Sequence, residues 1–261
     1  MFDSGIGGLS VLREIRRQRP DLDLDYVGDT EVFPYGDLAE DDLVARVVWL
    51  MDRLLPRFDP SAVVIACNTA STLVLPALRQ RFDIPFVGTV PAIKPAGLLT
   101  RSGLVTVLAT PGTVKRDYTR GLIRRFAGHV AVRLVGAPEL ARIAEAKLSG
   151  GRVDEMELRT QIGGCFVDVD GARTDVVVLA CTHYPFLIEE MAAVAPWPVE
   201  WLDPAPAIAR RLFSVLAERG HETTGDLAGA GRGTALFTGR AAIDPALAGF
   251  LSDLGLTCAA A

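Results

Sequence analysis

Two stretches, Val63-Val64-Ile65-Ala66-Cys67-Asn68-Thr69 and Val177-Val178-Leu179-Ala180-Cys181-Thr182-His183, run from apolar residues straight into Ala-Cys and then into hydrogen-bonding side chains. A β-strand that ends on cysteine delivers a thiol to the carboxyl edge of a sheet, where open α/β folds bind their ligands. Two such frames, about one small domain apart, suit one reaction approached from both sides: one thiol removes a proton from a carbon, and the other returns a proton to the opposite face. At Cys67, the amide and hydroxyl of Asn68 and Thr69 lie at a strand-to-helix turn whose partial positive charge favours thiolate. At Cys181, the nearby His183 can hold a proton or stabilise a thiolate.

Three further segments carry polar groups on turns. Asp3-Ser4-Gly5-Ile6-Gly7-Gly8 is a glycine-rich turn entering a helix, and its N–H groups can approach an anion. It lacks the G-x-G-x-x-G spacing of a dinucleotide site, and Asp3 suits an ammonium group or a nearby thiol better than a phosphate. Pro34-Tyr35-Gly36 either lines a pocket or packs a turn. Thr110-Pro111-Gly112-Thr113 either receives a carboxylate or is an ordinary helix cap.

These turns need a scaffold, and the apolar periodicity supplies one. Strands are predicted at 24–27, 62–66, 85–87, 105–109, 131–135, 176–180 and 234–238. Helices are predicted at 9–17, 41–55, 72–81, 114–126, 138–148, 155–166, 185–193 and 205–218. Strands alternating with helices predict two similar three-layer α/β domains with mainly parallel sheets and the active site in the cleft between them. The first domain is expected to be discontinuous, 1–92 plus 206–261, with the second at 93–205. Only Met1-Phe2 precedes Asp3, so of a first strand ending there either most is missing or it is unusually short.

Composition narrows the function classes. The chain has 261 residues, 49% hydrophobic and 23% charged, with a net charge of −5. That balance gives no footprint for nucleic-acid binding. Apolar runs are short and broken, so neither a membrane span nor a signal peptide is expected, and a cytoplasmic location follows. Four cysteines (Cys67, Cys165, Cys181, Cys258) are expected to be reduced thiols. No spacing of the zinc type occurs, so no metal is expected. None of the three lysines has a context that suits a Schiff base. The terminal Cys258-Ala259-Ala260-Ala261 formally matches a prenylation box, but no polybasic stretch precedes it; a frayed tail is expected there.

The segments Phe2-Asp3-Ser4-Gly5-Ile6-Gly7-Gly8-Leu9-Ser10-Val11, Pro34-Tyr35-Gly36, Ala66-Cys67-Asn68-Thr69-Ala70-Ser71, Pro91-Ala92-Ile93-Lys94-Pro95-Ala96 and Ala180-Cys181-Thr182-His183-Tyr184-Pro185 resemble the glutamate racemase family, in that family's order and across essentially the whole chain. The resemblance implies a cofactor-independent interconversion of L- and D-glutamate that supplies peptidoglycan synthesis, in a cleft between two α/β domains. It implies that Cys67 takes the α-proton from D-glutamate and Cys181 takes it from L-glutamate. It assigns Asp3 to assist the first thiol, and His183 and Glu145 to assist the second. Ser4, Pro34, Tyr35, Gly36, Asn68, Thr69, Thr113 and Thr182 match positions that hold the substrate. Leu202-Asp203-Pro204-Ala205-Pro206 departs from the family pattern in lacking Ser-Gly. Related substrates (aspartate or a hydantoin), an additional gyrase-inhibiting role, a homodimer and activation by a cell-wall precursor all stay open at this point.

Overall fold

A computed structural model describes residues 1–221, 231–239 and 243–259. Its strands are β1 (Phe2–Asp3), β2 (Tyr26–Gly28), β3 (Val63–Ile65), β4 (Phe86–Gly88), β5 (Leu104–Ala109), β6 (Ala131–Gly136), β7 (Asp168–Val169), β8 (Ala172–Arg173), β9 (Val176–Ala180), β10 (Glu200–Leu202), β11 (Gly233–Phe237) and β12 (Leu256–Cys258). Six of them form a parallel sheet in the order β12-β11-β2-β1-β3-β4, and four form a second parallel sheet in the order β10-β9-β5-β6. A small antiparallel hairpin, β7–β8, stands apart.

Side chains alternate across each sheet, so each sheet buries two faces. In the six-stranded sheet, Tyr26, Val64, Ala66 and Phe237 pack with the Leu9–Gln18, Ala205–Glu218 and Pro245–Asp253 helices. Val27, Val63, Ile65 and Leu236 pack on the other face with the Glu40–Phe58 and Leu75–Arg81 helices. The four-stranded sheet repeats the pattern. Leu108, Val177 and Leu179 face the Leu140–Leu148, Glu155–Ile162 and Ile188–Val194 helices. Val105, Val107, Val176 and Val178 face the Ile93–Leu99 and Asp117–Phe126 helices. Both units are therefore three-layer α/β sandwiches. Phe186, just beyond β9, inserts into the first unit's core and meets Phe250 edge-on at 5.8 Å. Burying that ring contributes ~2 kcal/mol to holding the two units together.

Several elements differ from the sequence reading. The predicted 72–81 helix starts only at Leu75, preceded by a separate short helix, Asn68–Ser71, and 114–126 is divided into Pro111–Lys115 and Asp117–Phe126. The segment 155–166 ends its α-helix at Ile162 and continues as a 3₁₀ turn, Gly163–Cys165. Short edge strands β10 and β12 escape periodicity because three residues carry too little alternation to read. The tail expected to fray pairs instead: β12 aligns with β11 and Ala259 donates to the Ala235 carbonyl at 2.9 Å. Residues 260–261 of the prenylation-like box lie outside the described residues. The first strand is indeed only two residues long.

Candidate active site

In each sheet the strand order reverses direction at one point, between β1 and β3 in the first and between β5 and β9 in the second. The crevice beyond such a switch point is the default ligand site of an open α/β sheet. β1 ends on Asp3-Ser4 and β3 leads to Cys67, whereas β5 leads to Thr110–Thr113 and β9 to Cys181. Both sheets thus present their chemistry at the same kind of edge.

Cys67 is extended, with φ −134° and ψ 120°, and caps the short Asn68–Ser71 helix. Ser71 Oγ and Thr89 Oγ1 both donate to the Ile65 carbonyl, at 3.0 and 2.8 Å, which locks the chain just before the thiol. The Cys67 Sγ donates to Ser4 Oγ at 3.7 Å. Burial pushes the Cys67 thiol well up, and the charge of Asp3 adds to that; the Ala70 N–H at the helix start opposes both. The helix-end preference for thiolate is therefore present but outweighed: Cys67 rests as a thiol.

Cys181 has a different neighbourhood. His183 Nδ1 lies 3.6 Å from its Sγ, and His183 Nε2 lies 3.0 Å from Glu145 Oε1. Burial pulls the imidazole pKa down, but the hydrogen bonds to Cys181 and Glu145, with the nearby charges of Cys181 and Asp3, lift it well above the usual range. His183 is held as a cation between a sulfur and a carboxylate. Phe33 covers it, ring centroids 5.5 Å apart. Phe33 was not singled out by sequence; its place beside Pro34-Tyr35-Gly36 was the only available pointer.

The glycine-rich turn takes a role that its composition did not reveal. Its Ile6 N–H donates to Glu145 Oε1 at 2.7 Å and its Gly8 N–H to Asp3 Oδ2 at 2.8 Å. Both amides expected to meet an external anion are therefore used by the protein's own carboxylates. A Cβ on Gly5 would lie 2.1 Å from Glu145 Oε1, and one on Gly7 would lie 2.3 Å from His183 Nδ1. Glycine is needed here for close approach rather than for conformational range. The turn, from the first unit, is thereby pressed against His183 and Glu145 from the second. Ser10 Oγ adds a bond to the Thr182 carbonyl at 2.8 Å.

Asp3 is fully buried, and burial raises its pKa while the His183 charge opposes. Tyr26, also unmarked by sequence, donates to the Gly5 carbonyl at 2.8 Å and approaches Asp3 Oδ2 at 3.5 Å. Thr69, Thr110 and Thr113 form a hydroxyl cluster across the cleft: Thr69 Oγ1 is 3.1 Å from Thr110 Oγ1 and 3.4 Å from Thr113 Oγ1. Thr110 also caps its helix through the Thr113 N–H. Asn68 is buried with neither amide oxygen nor nitrogen bonded. A buried amide costs free energy until a ligand satisfies it, so Asn68 presents both a donor and an acceptor beside Cys67. Thr182 is buried next to Cys181.

The Pro34-Tyr35-Gly36 loop contributes differently from expectation. Tyr35 is buried in the core and its hydroxyl donates to Asp29 Oδ2 at 2.7 Å. Asp29 also takes both arms of Arg46, at 3.0 and 2.6 Å, and the Thr238 hydroxyl at 2.6 Å. The Tyr35 side chain therefore anchors the loop. Gly36 is the part that reaches the cleft, its Cα and carbonyl oxygen each 3.5 Å from the Cβ position of Gly112. Pro34, joined to Phe33 by a cis peptide, holds the turn through its carbonyl, which accepts from the Asp37 N–H at 3.1 Å. No cluster of three or more His, Cys, Asp or Glu side chains is placed to hold a metal among the described residues.

The arrangement can move a proton on either side of one carbon: a thiol beside serine and aspartate on one wall, and a sulfur–imidazole–carboxylate chain on the other. Comparison with known proteins agrees with that chemistry. Residues 8–212 match the model of the Asp/Glu/hydantoin racemase family. Glutamate racemase from Brucella anthropi is 60% identical over 220 residues, 84% of this chain and 79% of that protein. Glutamate racemase from Mesorhizobium japonicum is 58% identical over 217 residues, 83% of each. The crystal structure of Escherichia coli glutamate racemase with L-glutamate and activator UDP-MurNAc-ala superposes with TM-score 0.86 at 43% identity, covering 98% of this chain and 94% of that one.

Proposed function

This chain belongs to the Asp/Glu/hydantoin racemase family, and we propose that it racemises glutamate by a two-base mechanism in which Cys67 and Cys181 face opposite sides of the α-carbon. The observation that carries the residue assignment is the unequal pairing of the two sulfurs, Cys67 with Ser4 and Cys181 with the His183–Glu145 pair. L-Glutamate loses its α-proton to the Cys181 thiolate, which the His183 cation stabilises, and Cys181 ends as the thiol. Cys67, resting as a thiol, delivers its proton to the opposite face, giving D-glutamate and a Cys67 thiolate. The reverse direction starts from that thiolate. Charge growing on the α-carboxylate needs fixed donors, usually the largest catalytic contribution; Asn68 and the Thr69, Thr113 and Thr182 hydroxyls fill that role, with Gly36 closing the cleft. No cofactor takes part in this scheme.

Incubation with either enantiomer in D₂O should give α-deuterated product of opposite configuration. Cys67→Ala and Cys181→Ala should each lower racemisation by at least ~10³-fold. Full activity in both variants would remove the assignment.

The same reading extends to setting and organisation. The units 1–92 plus 206–261 and 93–205 are proposed as the two domains, in keeping with the separate sheets. The enzyme serves peptidoglycan synthesis in the cytoplasm, and no helix among the described residues is long and apolar enough to cross a membrane. The Escherichia coli relative was crystallised with an activator; UDP-MurNAc-ala should likewise raise kcat here, and a flat titration would argue against that.

A further inference from the structure

β2 ends at Gly28, and the next residue, Asp29, is fully buried. Each of its carboxylate oxygens accepts two hydrogen bonds. Oδ2 takes the Tyr35 hydroxyl at 2.7 Å and Arg46 Nε at 3.0 Å; Oδ1 takes Arg46 Nη2 at 2.6 Å and the Thr238 hydroxyl at 2.6 Å. Its backbone N–H donates to the Asp3 carbonyl at 2.8 Å. One residue thereby joins the ends of β1, β2 and β11 to the Glu40–Phe58 helix and to the 30–37 loop. The same loop is stitched again behind the carboxylate: Thr30 Oγ1 donates to the Thr238 carbonyl, Glu31 N–H to Thr238 Oγ1 at 3.1 Å, and Arg46 Nη2 to Glu31 Oε2 at 2.6 Å. A two-armed guanidinium on a buried carboxylate fixes direction as well as distance, so the base of the loop is rigid.

The tip of that loop lands on the second unit. Phe33 lies against His183 with ring centroids 5.5 Å apart, and the Arg142 guanidinium stands 6.0 Å from the centre of the same ring. Asp37 meets Arg142 at 3.2 Å, on the helix that carries Glu145. Gly36 faces Gly112 across the cleft, its Cα 3.5 Å from that residue's Cβ position. We propose that Asp29 and Arg46 are positioning residues for racemisation: they hold the 30–37 loop so that Phe33 covers the His183–Glu145 pair and Gly36 closes the substrate edge. The proposal rests on the racemase reading above and adds to it two residues that act through others. Their two effects differ in kind. Phe33 keeps water from the imidazole that stabilises the Cys181 thiolate, where a drier surrounding strengthens the attraction, so its displacement acts on kcat. Gly36 bounds the space that substrate occupies, so its displacement acts on KM.

The test compares Arg46→Met, Arg46→Lys, Phe33→Leu and the double variant Arg46→Met/Phe33→Leu by initial rates with either enantiomer. Arg46→Met should lower kcat about 10-fold and raise KM about 10-fold, within the ~10²-fold cost of misplacing a reacting group by about 1 Å. Phe33→Leu should lower kcat about 10-fold and leave KM within about twofold of the parent. In the double variant the kcat loss should exceed that of Arg46→Met by no more than about twofold, because both changes remove the same contact and coupled residues do not add. Arg46→Lys keeps a cation beside Asp29 without the two-armed grip. It should unfold within about 3 °C of the parent and still raise KM about threefold. Asp52→Asn, which unpairs Arg81 farther along the same helix, should leave both constants unchanged. Parent kcat and KM in either Arg46 variant, multiplicative losses in the double variant, or the same losses in Asp52→Asn would each overturn the proposal. Because Arg46→Lys retains the charge, it decides the matter if Arg46→Met does not fold. Parent rates in the Arg46 variants leave the thiol assignment standing, whereas full activity in both Cys67→Ala and Cys181→Ala removes the reading beneath it.

Discussion

The two thiols differ because their nearest ionisable neighbours carry opposite charge, Asp3 beside Cys67 and the His183 imidazolium beside Cys181. Glu145 is one source of that cation, since its hydrogen bond raises the His183 pKa. A raised histidine pKa keeps the proton to higher pH; removing the raising partner moves its loss to lower pH. Glu145→Gln should therefore shift the basic limb of the L-to-D pH profile toward acid, with kcat in that direction reduced ~10- to 100-fold. An unmoved limb would separate Glu145 from His183. Asn68 makes the complementary case for binding. Its amide is buried and unbonded without substrate, so Asn68→Ala should leave the unfolding midpoint at or above the parent's. The same change should raise KM ~10- to 100-fold, the worth of a hydrogen bond to a charged group. Calorimetry with initial-rate kinetics checks both. The types and order of these residues, with His183 beside Cys181, were legible from the two cysteine frames; Glu145 entered only through the family resemblance, because it lies 38 positions from His183 and meets it only through folding.

Elements set how tightly those groups are held. The glycine-rich turn contacts the opposite unit directly, and the Gly7 Cβ position is filled by the His183 ring. Gly7→Ala should retain native circular dichroism and lose about 10²-fold in kcat, the expected cost of displacing a positioned group by about 1 Å. Retained activity would mean that the ring can shift without penalty. A sequence reading makes glycine a turn former and an anion cradle, because what occupies the missing side chain's space belongs to another part of the chain. The loop after β2 teaches the same lesson: by sequence Tyr35 either lines a pocket or packs a turn, and Asp29, Arg46 and Thr238, which claim its hydroxyl or that hydroxyl's partner, decide for the turn. Longer strands such as β5 and β9 were legible from their β-branched runs, whereas β1, β10 and β12 depend on neighbours for their form.

At the scale of the whole molecule, the thiols that must meet substrate are each only 6% exposed. Asp3, Ser4, Asn68, Thr69 and Thr182 are buried with them, so substrate entry requires the two units to separate. Arg116–Glu40 and Arg142–Asp37 bridge the rim, the second at 3.2 Å; Arg142 and Asp37 are both exposed, and an exposed pair of this kind holds weakly enough to open. Iodoacetamide should label exposed Cys258 quickly and Cys67 and Cys181 slowly, with glutamate slowing the latter two further. Mass spectrometry of labelled peptides reads all three, and fast labelling of Cys67 would show that opening is not limiting.

By itself the sequence determined that strands end on Cys67 and Cys181, that helices alternate with those strands, and that small polar residues flank each thiol. These are local properties, set by side-chain type and period. Only the tertiary structure decided how closely each charge approaches its sulfur and that the glycine turn serves internal carboxylates. Each of those depends on groups distant in sequence brought within a few ångströms, where burial and Coulomb interaction outweigh local preference.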